Sequence, residues 1–475
     1  MVTSPASAGL QRSTMVSLFG GSTLLWLGFA FVHVILLGLS LYGQGWPLGD
    51  VVLVYKTWSE HAAAGAQLVG IDSPWVYPIL AFPFMYASLA FGSDAYQYTW
   101  LGLVILLNAG AFAMLIGSTA TRRPRVTVAA WWWLGFLLLL GPIAMTRIDA
   151  VTVALSIVGL LWLSTRPLWG TAVLTIATWV KVWPAALVAA LIMAGKGRWR
   201  LLAAAAGTSA VIVLICLVLG SGMNVFSFIT EQTGRGLQIE APVSTPWMWQ
   251  AVFHVPGSFV YYDRDILTFQ VAGAGVDVVG AIMTPLLALA VAAVLVLAVL
   301  AVRRGVVFTR LFPSLSLALV LAFIAFNKVG SPQFIAWLAA PIIIGIVYHG
   351  RAYRTPAILA AVLAALTQLV YPYLYYLILA VNPVMVAVLG VRNVLEFVLL
   401  GWAVWSIATS RAPEPVVSAD GADAVGAVGA DDADDREDAP HPLDVGPESV
   451  PAARNESLVA TEPEQGPGAT LVDER

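Results

Sequence analysis

The stretch MVSLFGGSTLLWLGFAFVHVILLGLSLY, residues 15–42, decides the class of this protein. A helix needs about 20 consecutive apolar residues to cross the hydrocarbon core of a bilayer, and this stretch exceeds that length. It is too long for the apolar core of a signal peptide, and no A-x-A cleavage site follows it. We therefore expect a retained first transmembrane helix.

Similar apolar runs recur along the chain, and hydrophobic residues make up 59% of its 475 residues. Because lipid offers no hydrogen bonds to the backbone, such runs have to be helices. The predicted fold class is all-α, a polytopic membrane protein with 12 transmembrane helices near residues 16–42, 95–118, 127–143, 149–164, 167–180, 183–195, 201–220, 274–302, 311–327, 333–348, 355–378 and 385–408.

The basic residues indicate how these helices are oriented, because Lys and Arg in short loops favour the cytoplasmic side. With the basic clusters inside, both termini are cytoplasmic and two long loops, residues 43–96 and 221–270, lie on the outer face. The clusters are Arg12; Arg122, Arg123 and Arg125; Arg166; Lys196, Arg198 and Arg200; Arg303, Arg304 and Arg310; and Arg351 and Arg354.

The first outer loop contains another apolar segment, from Pro78 to Phe91. If this segment crossed the membrane, the cluster at Arg122 would lie outside. We therefore expect a helix in the outer membrane interface, where Trp and Tyr side chains are favoured.

The acidic residues divide the chain into two parts. Sixteen of the 27 Asp and Glu residues follow Ser410, in a segment rich in Ala, Pro and Gly with few aromatic residues. This composition is typical of disorder. We predict a transmembrane domain over residues 1–410 and a disordered acidic cytoplasmic tail over residues 411–475.

Composition also excludes several kinds of site. The single cysteine, Cys216, rules out an intrachain disulfide and a thiolate metal site. There is no basic, aromatic-rich soluble patch, so we expect no nucleic-acid partner. The D-x-D pattern at Asp263-Arg264-Asp265 is a weak metal signal because Arg264 would compete with a cation. We predict no cofactor and assign no metal ligand, and leave metal dependence open.

Asp50 in the first outer loop is the candidate catalytic residue. Val51, Tyr55, Trp58 and Ala62 follow it at i, i+4, i+7 and i+11, which is one face of an amphipathic helix. Asp50 thus stands where an N-cap is expected, and Asp is a favoured N-cap. A capping role and a general-base role both remain open.

Basic residues lie at three interrupted outer turns: Arg147 in Arg147-Ile-Asp149, Lys181 in Lys181-Val-Trp-Pro184, and Lys328 before Ser331-Pro-Gln-Phe334. Arg binds phosphate in a bidentate manner and Lys acts as a point charge, so the three could bind a lipid-linked phosphate. The alternative is that each side chain extends separately to the interface.

The second outer loop carries Arg235-Gly-Leu-Gln-Ile-Glu240. Arg235, Gln238 and Glu240 suit sugar hydroxyls or phosphate, although simple packing on the outer face explains them equally well. Within the last apolar run, Arg392 and Glu396 are spaced i, i+4 and are expected to pair.

These landmarks resemble glycosyltransferase family 87 of the GT-C superfamily, actinobacterial membrane enzymes that use polyprenyl-phosphate sugars, typically mannose. The resemblance covers nearly the whole membrane part but not the tail. Two pieces differ from the usual pattern: Pro78 is followed by Ile79 where the family often has a second proline, and Arg147-Ile-Asp149 stands where many members have Arg-x-Gly-Gln. The matching pieces are Gly49-Asp50, Trp75-Val-Tyr-Pro78, Arg147-Ile-Asp149, Lys181-Val-Trp-Pro184, Arg235 to Glu240, and Ser331-Pro-Gln-Phe334.

The resemblance implies a GT-C-like fold in the cell membrane with an outward-facing active site. It implies Asp50 as general base and a sugar donor on polyprenyl phosphate, with mannose as the sugar. The acceptor would be a cell-envelope glycolipid or lipoglycan. The substrate-binding residues would be Tyr77, Arg147, Asp149, Lys181, Arg235, Gln238, Glu240, Lys328 and Gln333.

Two other functions are compatible with a chain of many spans. A transporter or lipid flippase predicts charges at the membrane midplane and symmetry between the halves, and the sequence shows little of either. An envelope-assembly scaffold predicts that Asp50, Lys181 and Arg235 can be neutralised without loss of function.

Overall fold

The computed structural model describes residues 21–118, 122–231, 235–264 and 266–412. Within them the chain is helical apart from loops and one small hairpin, which confirms the all-α class. Arg12, Asp265 and the acidic tail from residue 413 lie outside the described residues.

The first half of the chain alternates long helices with short elements. A π-helical turn, Asp50–Tyr55, precedes α2, and a 3-10 turn, Gly141–Ala144, precedes α6. The helices are α1 (Ser22–Tyr42), α2 (Lys56–Ala63), α3 (Ala81–Ala87), α4 (Tyr96–Ile116), α5 (Pro124–Leu140), α6 (Asp149–Trp162), α7 (Pro167–Val180), α8 (Ala185–Ala194) and α9 (Arg198–Val218).

The second half contains the other long outer loop and the last long helices. Its short turns are Gly222–Phe226, Pro242–Ser244, Pro332–Leu338, Gly350–Tyr353 and Leu369–Tyr373. The remaining elements are α10 (Ser227–Thr230), α11 (Thr245–Val252), β1 (Phe259–Asp263), β2 (Thr268–Ala272), α12 (Val276–Arg303), α13 (Phe308–Ala325), α14 (Ala339–His349), α15 (Arg354–Gln368), α16 (Tyr375–Leu379) and α17 (Pro383–Thr409).

Each of the 12 predicted spans overlaps helical structure, although the predicted span 355–378 includes α15, the turn Leu369–Tyr373 and most of α16. In the described residues, eight helical segments are long and apolar enough to cross a membrane. One of these, residues 332–373, contains both α14 and α15, and α6, α7 and α8 are shorter apolar helices. The chain is therefore a polytopic helical membrane protein.

Burial separates a central helix from a peripheral one. In the most apolar segment of each helix, 78% of the residues of α13 are buried, compared with only 17% of those of α12. Because the apolar surface of α12 is not covered by protein, lipid has to cover it. A space between α12 and α13 therefore lies close to the lipid-facing surface.

The apolar segment at residues 78–91 forms the seven-residue helix α3 between turns. Seven residues are too few to cross a bilayer. The segment is thus not a membrane span and belongs to the loop between α1 and α4; its position on the outer face stays a prediction from the charge distribution.

The second outer loop contains an antiparallel hairpin that the hydropathy pattern does not predict. β1 pairs with β2 in the register Phe259↔Ala272 to Asp263↔Thr268. Aromatic and β-branched residues dominate both strands, and such residues favour strands. The strands are too short to stand out in a chain with this many apolar runs.

Candidate active site

Asp50 begins the π-helical turn and is not its cap. Gly49 occupies the position before the first helical residue, so the N-cap interpretation of Asp50 is wrong. The predicted apolar face is confirmed for Val51 and Tyr55, which are buried. The Asp50 side chain is 41% exposed, and its Oδ2 atom lies 3.0 Å from Arg147 Nε. The carboxylate is thus both held and open to a ligand.

Arg147 is nearly fully buried and is held on several sides. Its Nη1 atom donates to the carbonyl oxygens of Pro47 at 2.7 Å and Thr146 at 2.9 Å. Its Nη2 atom donates to the Tyr371 hydroxyl at 2.9 Å. With Asp50 on Nε, all three nitrogens of the guanidinium are engaged, which fixes the position of the Asp50 carboxylate.

Asp149 and Lys181 form a second ion pair. Lys181 Nζ lies 2.7 Å from Asp149 Oδ2, and the Asp149 side chain is only 1% exposed. The other oxygen, Oδ1, accepts a hydrogen bond from Trp337 Nε1 at 2.6 Å. Because α7 ends at Val180 and α8 begins at Ala185, the break between these helices brings Lys181 to this point.

The two ion pairs share one tripeptide. Arg147 holds Asp50 and Asp149 holds Lys181, with Ile148 between them. The Ile148 amide donates to the Tyr55 hydroxyl at 3.3 Å. The turn before α6 therefore fixes a carboxylate and an ammonium group relative to each other.

A cavity of about 320 Å³ opens beside Lys181. Its walls are mainly apolar and include Leu287 of α12 and Phe323 of α13. Lys181 and Lys328 also line it, together with Tyr77. Lys181 Nζ lies 5.5 Å from the centre of the Tyr77 ring, within cation–π range. The cavity thus combines an apolar groove between helices with a positively charged border.

Arg235 and Lys328 add positive charge on the side of the second outer loop. Burial lowers the pKa of Lys328 below its ordinary value, and the nearby Arg235 charge lowers it further. Burial also lowers the pKa of Arg235, while Tyr77 and Glu231 oppose that shift. In the described part of the chain, the buried Arg235 Nε has no hydrogen-bond partner. Two like charges this close would be stabilised by an anion.

Gln238 connects the two loops. Its backbone amide donates to the Lys328 carbonyl oxygen at 3.1 Å, and its Oε1 atom lies 3.5 Å from Ser331 Oγ. Gln333 lies in the neighbouring turn Pro332–Leu338 and is half-buried, but it is not among the described residues that line the cavity. The structure gives Gln238 a bridging position and leaves Gln333 outside the cavity wall.

Glu240 does not lie with the cations of the cavity. It is 3% exposed, and its Oε2 atom lies 3.5 Å from Arg392 Nη1. Arg392 Nε lies 3.5 Å from Glu396 Oε1, which confirms the expected i, i+4 pair. Burial raises the pKa of Glu240 to about 7, although Arg392 opposes the shift. Glu240 thus belongs to a buried ionic network between the second outer loop and α17.

The D-x-D segment makes contacts within the hairpin. Asp263 Oδ2 accepts from Gln270 Nε2 at 3.1 Å, whereas Asp265 lies outside the described residues. Among the side chains that the structure describes, no group of three His, Cys, Asp or Glu could hold a metal ion.

Several residues of this site carry no distinctive signal in the sequence. Trp183 lies within the quoted Lys181-Val-Trp-Pro184 motif, and its ring stacks on Trp337 with 5.4 Å between centroids. Tyr371 lies more than 200 residues after Arg147 and is recognised only through their hydrogen bond. Trp183 could have been proposed from its motif, whereas Trp337 and Tyr371 lie outside the quoted motifs.

The family model that matches this chain is that of glycosyltransferase family 87, over residues 75–284. The match confirms the resemblance found in the sequence and indicates a membrane glycosyltransferase. It includes Tyr77, Arg147, Asp149, Lys181 and the loop at Arg235, whereas Asp50 and Lys328 lie outside it. No curated protein matches the chain. No solved structure matches it either.

Proposed function

We propose that this glycosyltransferase moves mannose from a polyprenyl-phosphate donor to a cell-envelope glycolipid or lipoglycan on the outer face of the cell membrane. The observation that carries the proposal is the cavity between α12 and α13, which joins apolar walls to a border containing Lys181 and Lys328. A prenyl chain and its phosphate are a ligand with the same two-part chemistry.

The position of the cavity supports a lipid-linked donor. Leu287 belongs to α12, most of whose surface is exposed to the surroundings of the protein. A prenyl chain in the bilayer can reach the groove from this side without crossing water. A water-soluble nucleotide sugar would gain little from apolar walls at this position.

The charged residues at the border of the groove support the binding of a phosphate there. Lys181 is balanced by Asp149, while Arg235 and Lys328 lie close enough to repel each other. A phosphodiester donor carries one negative charge and releases a phosphate monoester that carries more. Fixed cations therefore bind the leaving group more strongly as the reaction proceeds, which lowers the barrier.

Asp50 is suited to act as general base in an inverting displacement. The carboxylate removes the proton of an acceptor hydroxyl while that oxygen forms a bond to the anomeric carbon. The bond from this carbon to the phosphate oxygen breaks, and the electron pair leaves with polyprenyl phosphate. The proton then passes from Asp50 to solvent, since the side chain is 41% exposed.

The Asp50→Asn variant tests this proposal. Purified enzyme is given polyprenyl-phospho-mannose and a glycolipid fraction from a strain that lacks the gene, and mannosyl product is quantified. We expect a loss of about 10²-fold or more in kcat, the usual contribution of a general base. Asp94→Asn, an exposed carboxylate of the same outer loop, is the matched control.

Two outcomes would contradict the proposal. Transfer by Asp50→Asn at a rate near wild type would exclude Asp50 as the base. Failure of wild-type enzyme to transfer mannose from this donor to the fraction would exclude the donor or the acceptor class. Mass spectrometry of the glycolipids of the deletion strain identifies which sugar is missing and from which acceptor.

A further inference from the structure

A tryptophan in a strained turn lies four residues before Asp50. Trp46 has φ +49, in the left-handed region that residues other than glycine rarely adopt. Its side chain is 58% exposed. An exposed indole in an unfavourable backbone conformation contributes little to folding, and such outliers cluster at functional sites.

The turn around Trp46 is held on both sides. The Pro47 carbonyl oxygen accepts a hydrogen bond from Arg147 Nη1 at 2.7 Å. On the other side, Gly45 packs so closely on Pro372 that an added Cβ would clash with its carbonyl oxygen. These contacts impose the conformation of Trp46, so the indole is presented by a rigid support.

Tyr371 lies beside the same support and retains a hydrogen to donate. Its hydroxyl oxygen accepts from Arg147 Nη2 at 2.9 Å, and a phenol that accepts a hydrogen bond still has its own O–H. The hydrogen bond from the cation polarises this O–H. A single guanidinium therefore holds Asp50, the turn that carries Trp46, and Tyr371.

We propose that Trp46 and Tyr371 form the acceptor subsite. A pyranose ring of the acceptor glycan stacks its C–H face on the Trp46 indole, and the Tyr371 O–H donates to a ring hydroxyl beside the one that Asp50 deprotonates. The inference rests on the proposed function and specifies its acceptor side. The donor cavity lies at a different ion pair, because Lys181, which borders that cavity, is paired with Asp149.

The simpler explanation of an exposed tryptophan in a membrane protein is an interfacial anchor. Tyr42 provides a comparison, because it ends α1, is 86% exposed and lies four residues before Trp46. An anchoring role predicts similar behaviour for the two residues. A glycan-stacking role predicts an effect at Trp46 alone.

Kinetics of four variants test the subsite. For Trp46→Ala and Tyr371→Phe we expect the KM for the glycolipid fraction to rise roughly tenfold, the scale of one lost stacking partner or hydrogen bond, with the donor KM within about twofold of wild type. Trp46→Phe should recover part of the loss, and Tyr42→Ala should behave as wild type. An unchanged acceptor KM in Trp46→Ala, with Tm equal to wild type, would overturn the proposal.

Hydroxyl-radical footprinting tests binding without turnover. Wild-type enzyme in detergent is loaded with polyprenyl phosphate and exposed to radicals with and without the glycolipid fraction. We expect protection of Trp46 and none of Tyr42. Equal oxidation of Trp46 with and without the fraction overturns the subsite. Protection of Trp46 in an enzyme that transfers no mannose would preserve the subsite and reject the proposed function.

Discussion

Arg147 Nε lies 3.0 Å from Asp50 Oδ2, and the same guanidinium also donates to Pro47, Thr146 and Tyr371. The sequence suggests Arg147 as a phosphate ligand because it lies at an outer turn with Lys181. Its contacts instead show that it binds the Asp50 carboxylate and the groups around that carboxylate. Lys181 and Lys328 line the donor cavity, whereas Arg147 is not among the described residues that line it.

Arg147→Lys should therefore lower kcat while leaving donor binding intact. A lysine cannot reproduce the planar fork that holds Asp50 and Tyr371 together, and a displaced base costs about 10²-fold in rate. Steady-state kinetics with varied donor should give a kcat about 10- to 100-fold lower and a nearly unchanged donor KM. A raised donor KM with normal kcat would instead identify Arg147 as a phosphate ligand. Arg198→Lys, at an exposed position, is the control.

Lys181→Met should damage both the fold and donor binding. It leaves the Asp149 carboxylate, 1% exposed, without its cation, and breaking a buried pair costs about 3–5 kcal/mol. Thermal unfolding in detergent should show a lower Tm. The double variant Lys181→Met/Asp149→Asn removes both charges and should regain most of the Tm. Its donor KM should stay about tenfold or more above wild type, because the phosphate has lost a charged partner.

A double variant that recovers donor affinity together with Tm would contradict this assignment. Lys181 would then act on the donor only through the integrity of the fold. Lys196→Met, an exposed lysine at the predicted cytoplasmic end of α8, is the matched control for the substitution itself.

Leu287→Trp should make the enzyme sensitive to the length of the donor chain. Leu287 lines the cavity, and a larger side chain there fills the groove that we assign to the prenyl chain. The KM for a full-length polyprenyl donor should rise, while that for a donor with one or two isoprene units should change little. Leu289→Trp places the same change on the same helix at a position that is 66% exposed. Equal KM changes for long and short donors would exclude this groove as the prenyl site.

The sequence predicts more of the fold than of the site, because hydropathy depends on local composition. A continuous apolar run identifies a helix such as α13 without any knowledge of its neighbours. The charged turns are also visible in the sequence, since Arg147 and Lys181 interrupt apolar runs. The hydropathy pattern does not indicate the hairpin at Phe259, because two five-residue strands give a weak signal beside 20-residue helices.

The partner of each charged residue could not be read from the sequence. Arg147 and Asp149 are two residues apart, yet one binds a residue far upstream and the other a residue 32 positions later. Glu240 and Gln238 are equally close in sequence, and only Gln238 bridges to the loop of Lys328. Such choices depend on how distant helices pack, which local patterns do not encode.

The buried network around Arg392 should make stability depend on pH. Glu240 and Glu396 share one guanidinium, and one oxygen of each carboxylate has no hydrogen-bond partner in the described residues. The pKa of Glu240 is raised from 4.5 to about 7, with Tyr375 and Arg392 as its other near groups. The folded state therefore binds more protons than the unfolded state between these values. The stability that this group contributes is present below about pH 4.5 and is lost as pH rises through about 7.

Glu240→Gln should remove most of this dependence. A glutamine keeps the shape and leaves Arg392 with Glu396, a pair without net charge. Thermal unfolding of wild type should show Tm falling from pH 5 to pH 8, and the variant should show a flatter profile with an equal or higher Tm at pH 8. Glu231→Gln, an exposed carboxylate of the same loop, should follow the wild-type profile. Parallel profiles for wild type and Glu240→Gln would show that Glu240 does not take up the proton on folding.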